Sequence, residues 1–120
     1  MATTKHERYK IKKWENKSIK SWWGTIYIGG DYVISENVCR EMCFPSGLAV
    51  TIKPIKYIFA GGTEDGVEIG LVQYPPFPED ENILLQKAIN LGIKIAEANY
   101  QWSFLVVTPQ INIFYSRRNN

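Results

Sequence analysis

Apolar and polar positions alternate through most of the first two thirds of the chain. In residues 8–12 charged side chains interleave with Tyr9 and Ile11, which an extended backbone sends to one face, so a half-buried strand is expected there. Residues 22–28 and 31–38 are rich in β-formers and flank Gly29-Gly30, a pair suited to the positive φ angles of a tight hairpin. Residues 48–60 and 67–74 flank Gly61-Gly62-Thr63-Glu64-Asp65-Gly66, which reads as another turn. Val67, Ile69 and Leu71 alternate with Glu68 and Gly70, the mark of a sheet with one dry face.

The period changes after Tyr74-Pro75-Pro76-Phe77-Pro78, because three prolines cannot continue a ladder. Across residues 79–98, Leu84, Ala88, Leu91, Ile95 and Ala98 recur at helical spacing, and Glu79, Asp80 and Glu81 place negative charge at the positive end of that helix. A second apolar row, Leu85, Ile89, Ile93 and Ala96, is wider than one sheet contact requires, so a second copy of the chain is expected to cover it and form a homo-oligomer through the 79–98 helix. Two further β-rich runs, 101–108 and 111–116, meet at Pro109 as a terminal hairpin. The expected fold is α+β: a mostly antiparallel sheet, one long helix of the C-terminal half packed on it, and a terminal β-hairpin.

A chain of 120 residues with 45% hydrophobic and 22% charged residues has the balance of one globular domain and excludes disordered or collagen-like classes. We expect a single domain over 1–120, with 1–6 a mobile arm. No apolar run approaches the roughly 18–20 residues of a membrane span, and Cys39 and Cys43 are too few for a disulfide scaffold, so a cytoplasmic protein without membrane contact is expected. The net charge of +2 is uneven: residues 1–20 hold seven basic against two acidic side chains, residues 21–116 five against ten, and Arg117 and Arg118 follow. Basic ends of this kind suit a phosphate-bearing ligand.

Chemistry is thin by comparison. His6 is the only histidine and lies near the chain start, Cys39 and Cys43 alone cannot complete a zinc site, and the glycine-rich stretch at 61–66 lacks the Gly-Lys-Ser/Thr ending of a phosphate loop. Glu64 with Asp65, and Glu79 with Asp80 and Glu81, are accounted for by turn chemistry and the helix dipole. The expectation is therefore a protein that is not an enzyme, with no catalytic residue, metal or cofactor. Binding has more to work with. Phe77, held between Pro76 and Pro78, is a stiff platform for stacking a base; Asn90, beside Lys87, offers a paired donor and acceptor; Tyr115, Arg117 and Arg118 at a strand end suit a pyrophosphate. These six are the candidate ligand-binding residues.

Gly61 to Val67, Tyr74 to Pro78 and Tyr115 to Arg118, with the overall layout, resemble the type-one phage Thoeris anti-defence proteins over the second half of the chain. The resemblance implies a cytosolic homo-oligomer in the bacterial host, a sponge that sequesters a cyclic ADP-ribose isomer, and cyclic oligonucleotides at separate sites, without cleaving them. A nucleotide-binding domain is thus the leading expectation. The alternative is an RNA- or single-stranded-DNA-binding protein whose strip runs through Lys10, Lys12, Lys13, Trp14, Lys17, Lys20, Trp22 and Trp23, and the acidic middle of the chain counts against it. A third class is an inhibitor of a host protein acting through the wide helix surface.

Overall fold

The computed structural model describes residues 13–118. The elements run β1 (Trp23–Gly29), α1 (Tyr32–Ser46), β2 (Thr51–Phe59), β3 (Gly62–Val72), α2 (Glu81–Ala98), β4 (Ser103–Val107) and β5 (Asn112–Ser116). The strands form one sheet in the order β2-β3-β1-β4-β5, every neighbouring pair antiparallel. β3 is thus inserted between the two strands joined by α1, and β1 between the two joined by α2, a doubled split βαβ arrangement extended by β5. The strand expected at 8–12 and the arm at 1–6 lie outside the described residues.

The expected fold class needs correction: there are two helices, not one. Residues 31–38, read as the second strand of a Gly29-Gly30 hairpin, instead begin α1. Asp31 caps that helix, its carboxylate accepting the Ile34 N–H at 3.0 Å, and Gly47 ends it in the left-handed region at φ 68°, where its N–H reaches the Cys43 carbonyl. Ser35 and Cys39, four apart, are the buried positions of α1, and Met42 packs against the same core. Once capped, this helical period outweighs the β-branched Val33, Ile34 and Val38. Gly30, at φ 134°, turns the chain out of β1 into the cap.

Both helices cover one face of the sheet. Ile26 and Ile28 of β1, Val67, Ile69 and Leu71 of β3, and Phe104 and Val106 of β4 point into the layer that meets Leu84, Ala88, Leu91 and Ile95 of α2. Each large side chain so buried contributes roughly 1.5–3 kcal/mol. The second apolar row of α2 is largely covered within the chain: α1 packs along α2, and Ile89 and Ala96 are buried. Leu91 has no exposed surface, while Ile83 and Ile93 remain partly exposed, so α1 narrows the apolar face of α2 on which the expected homo-oligomer was placed. The acidic cluster before α2 is structural. Asp80 caps the helix through the Asn82 N–H at 2.8 Å, and Glu79 pairs with Lys87 at 2.8 Å.

Asn99 joins the two helices. Its Oδ1 accepts the Asp31 N–H at 2.9 Å, while its Nδ2 donates to Ser35 Oγ at 3.0 Å and to the Ile95 carbonyl at 3.1 Å. Ser35 is wholly buried, and its Oγ donates in turn to the Asp31 carbonyl at 2.7 Å. Asn99→Ala would leave the Ser35 hydroxyl without its donor, and a loss of about 1–3 kcal/mol is expected. Urea denaturation of the variant beside the parent measures it, and a Ser35→Ala, Asn99→Ala double variant is expected to lose less than the two single losses combined.

Candidate functional site

Alternation along the strands decides which side chains stand on the uncovered face. Because Ile26 and Ile28 point to the helices, Tyr27 and Gly29 point away; by the same parity β3 presents Glu64, Gly66 and Glu68, and β2 presents Lys53, Ile55 and Tyr57. Leu105 of β4 and Phe114 of β5 continue the row beside Tyr27. Of these, Tyr27, Gly29, Tyr57, Glu64, Leu105 and Phe114, together with Gln101 and Ser103, line a cavity of about 450 Å³, inside the roughly 300–1,000 Å³ range of ligand pockets.

Gly29 lines this cavity and faces a second glycine, Gly66, across β1 and β3. A Cβ at Gly66 would lie 2.8 Å from the Tyr57 ring and 2.6 Å from the Ile28 carbonyl oxygen. One at Gly29 would lie 2.6 Å from Glu64 Oε1 and 3.1 Å from Gln101 Oε1. The missing side chains are what let the Tyr57 ring and the Glu64 carboxylate lean over the sheet. Tyr57 and Glu64 are themselves partners in register across the β2–β3 hairpin. Burial, with the Glu64 carboxylate and Tyr27 nearby, pushes the Tyr57 phenol up to about 12, so near neutral pH it is a hydrogen-bond donor.

The charge of this cavity is one-sided. Among the described residues that line it, Glu64 is the only one with a charged side chain, and none is Lys, Arg or His. The nearby lysines are engaged elsewhere, Lys53 with Glu68 at 3.0 Å and Lys56 with Asp65 at 2.8 Å. Aromatic faces from Tyr27, Tyr57 and Phe114 surround a carboxylate and an amide oxygen, a combination suited to a cation that carries a planar ring.

The six residues singled out from the sequence do not share one place. Phe77 is 81% exposed and lines a small cleft with Gln73, Tyr74 and Glu79; Lys87 reaches the same neighbourhood through its ion pair with Glu79. Asn90 is exposed on α2 and accepts from Gln86 Nε2 at 3.0 Å. Tyr115 and Arg117 are brought together in a second cleft, of about 270 Å³, on the helix side of the sheet. Arg118 is exposed beyond β5, its N–H bonded to Ser116 Oγ at 3.3 Å.

The basic and aromatic strip of the nucleic-acid reading is also divided: Trp22 is buried, Trp23 stands on the uncovered sheet face, Trp14 is 90% exposed, and Lys10 and Lys12 lie outside the described residues, as does His6. Cys39 is buried, which with the neighbouring Cys43 and Glu36 raises its thiol to about 11. Cys43 is raised as well, by burial. Among the described residues no three His, Cys, Asp or Glu side chains gather as metal ligands, and no helix is long and apolar enough to cross a membrane.

No family model matches the chain, and no curated protein matches it. Among solved structures, a phage SAM lyase in its apo state matches at a TM-score of 0.67, with 14% identity over 82% of this chain and 91% of that one. A phage SAM lyase in complex with S-methyl-5'-thioadenosine matches at 0.63, with 17% identity over 88% of this chain and 96% of that one. The fold is therefore one found in phage proteins, and the resemblance drawn from the sequence holds at that coarser level. The expectation that the chain is not an enzyme is overturned by the same structures. Their architecture, at nearly the same length, carries a lyase, so a lack of histidine, thiolate or metal chemistry is no ground for excluding catalysis.

An alkaline titration followed by tyrosinate absorbance is expected to show one phenol near 12, and Tyr57→Phe is expected to remove that step. The folded phenol ionises above the ordinary value of about 10, so its contribution to stability is complete below pH 10 and is lost as pH rises through 12. The parent is therefore expected to lose stability relative to Tyr57→Phe over that interval.

Proposed function

We propose that the open-face cavity binds S-adenosylmethionine and that the chain cleaves its sulfonium carbon–sulfur bond, releasing S-methyl-5'-thioadenosine. The observation that carries this reading is the placement of Tyr57 beside Glu64, over the bare backbone at Gly29 and Gly66, in a cavity whose described lining holds a carboxylate and no basic group. The shared architecture of the phage SAM lyases supports it.

The roles follow from charge and geometry. Sulfonium and ammonium groups carry the positive charge that Glu64 and the Gln101 amide oxygen favour, and the adenine ring matches the faces of Tyr27 and Phe114. Cleavage turns the sulfonium into a neutral thioether, so the leaving group needs no proton. The substrate's own carboxylate can attack the carbon that bears sulfur: a C–O bond forms, the C–S bond breaks with its electron pair going to sulfur, and the amino-acid part departs as a five-membered lactone. No proton moves in that step, which suits a site lined by the phenols of Tyr27 and Tyr57 and one carboxylate. The task of the chain is to hold the substrate curled, with Tyr57 donating to a substrate oxygen and Glu64 holding the cationic end.

Cyclic ADP-ribose, the ligand implied by the sequence resemblance, also carries adenosine. Its pyrophosphate would face Glu64 with no cation among the described lining residues, which favours a cationic ligand over it. Self-association is retained as a proposal and moved from α2 to the uncovered sheet face, where Trp23, Phe59, Val72 and Phe114 form an exposed apolar rim.

Incubation with S-adenosylmethionine, followed by chromatography and mass spectrometry, is expected to yield S-methyl-5'-thioadenosine and the lactone. Tyr57→Phe and Glu64→Gln are each expected to lower turnover about a hundredfold with the fold retained. Gly29→Ala is expected to act in the same direction by displacing Glu64. Recovery of intact substrate from the parent would sink the lyase reading, and an elimination product in place of the lactone would reassign Glu64 as a base. In sedimentation velocity, Phe114→Lys is expected to lower the mass of the assembled species.

A further inference from the structure

The cleft on the helix side of the sheet has a different character from the open-face cavity. α2 packs over β1 and β4, while β5 lies at the sheet edge, so the Tyr115 ring rests on Phe104 with centroids 5.2 Å apart and planes 13° from parallel. Ile93 and Ala96 of α2 form the opposing wall. The resulting space of about 270 Å³ is apolar inside and lies just below the usual range of roughly 300 Å³ upward for drug-sized ligands.

Its rim carries one charge of each sign. Arg117 lies over the Trp102 ring at 5.3 Å and is held by a bond from Nη2 to the Gln101 carbonyl at 3.0 Å, with its own N–H bonded to the Trp102 carbonyl at 2.9 Å. Among the described residues no carboxylate pairs with it. Glu97 also lines the cleft, and among the described residues its ion-pair partner, Lys94, is 3.7 Å away and largely exposed. An anion alone would meet Glu97 unfavourably and a cation alone would meet Arg117 unfavourably; a compact zwitterion satisfies both.

We infer that this cleft is a second, separate site that takes a small apolar α-amino acid: carboxylate at Arg117, ammonium at Glu97, and side chain against the Phe104–Tyr115 stack. Size sets the same limit, because a side chain of phenylalanine or methionine dimensions fills the space and a nucleotide overfills it. Both charged groups face solvent, so affinity is modest, with Kd on the order of 1 mM.

The test is a titration of the full chain, followed by amide and indole resonances, with L-phenylalanine, 3-phenylpropionate and phenethylamine as three probes. L-Phenylalanine is expected to give saturable shifts at Ile93, Trp102 and Tyr115 and to bind more tightly than either singly charged analogue. Arg117→Gln is expected to raise its Kd about fivefold and bring it level with phenethylamine, while Glu97→Gln brings it level with 3-phenylpropionate. Tyr57→Phe is expected to leave all three titrations unchanged, which separates this site from the open-face cavity. Absence of saturable shifts at those three residues, equal binding of the three probes to the parent, or an unchanged Kd in both charge variants would overturn the inference.

Discussion

The amide of Asn99 is the contact on which the geometry of the open-face cavity rests. It fastens the start of α1 to the end of α2, and the two segments it brings together are the ones that flank the cavity: Gly29-Gly30 on one side, Tyr100-Gln101 on the other. Tyr100 takes a positive φ of 57°, an uncommon conformation for a residue with a side chain, directly beside this clamp. The Gln101 N–H then bonds back to the Ala96 carbonyl at 2.8 Å, so the chain leaves α2 in a fixed direction and delivers the Gln101 amide to the cavity. A partly buried polar network anchored on the buried Ser35 thereby sets the relative position of groups around the cavity.

The two sides of the sheet have been given opposite chemistry by one rule, the alternation of side chains along a strand. Inward positions on β1 and β3 are aliphatic and close-packed, while outward ones carry Tyr27, Glu64 and Glu68 interspersed with glycine. Dense packing on one side makes a rigid back wall. The other side can then leave atoms out of its surface without loss of the fold, since the missing side chains at Gly29 and Gly66 faced away from the core.

Much of the architecture was legible in the periodicity. β1, β2, α2 and the β4–β5 hairpin fall close to where alternation and helical spacing place them, while β3 begins at Gly62, inside the stretch read as a turn. α1 was missed because Val33, Ile34 and Val38 favour strands locally, and its helical signals are tertiary or terminal: the Asp31 cap, the Gly47 stop and a buried face built on a serine and a cysteine. Its omission had a second effect, since the wide apolar surface of α2 was then assigned to a partner copy when α1 covers much of it. The cavity was harder to read. Tyr57 and Glu64 are seven positions apart and meet only because the hairpin turns at Ala60-Gly61, not across the longer 61–66 stretch, and register converts that one-turn difference into the choice of face. Glu64 was noticed as a carboxylate, but as part of a turn. Phe77 and Arg118 drew attention by residue type alone, which says nothing of what stands beside them in space. Tyr115 and Arg117, chosen on the same grounds, do lie together, since a strand end and the residue following it remain neighbours in any fold.

A patch of bare backbone also constrains how this molecule can change over generations. Any substituent at Gly66 strikes the backbone of the adjoining strand as well as the Tyr57 ring, so that position cannot drift without disturbing the sheet itself. New ligand preferences must come from the flanks, where Tyr27, Ser103 and Phe114 can be exchanged at little structural cost. Descendants of such a chain would diverge in what they hold while keeping the same bare patch beneath it.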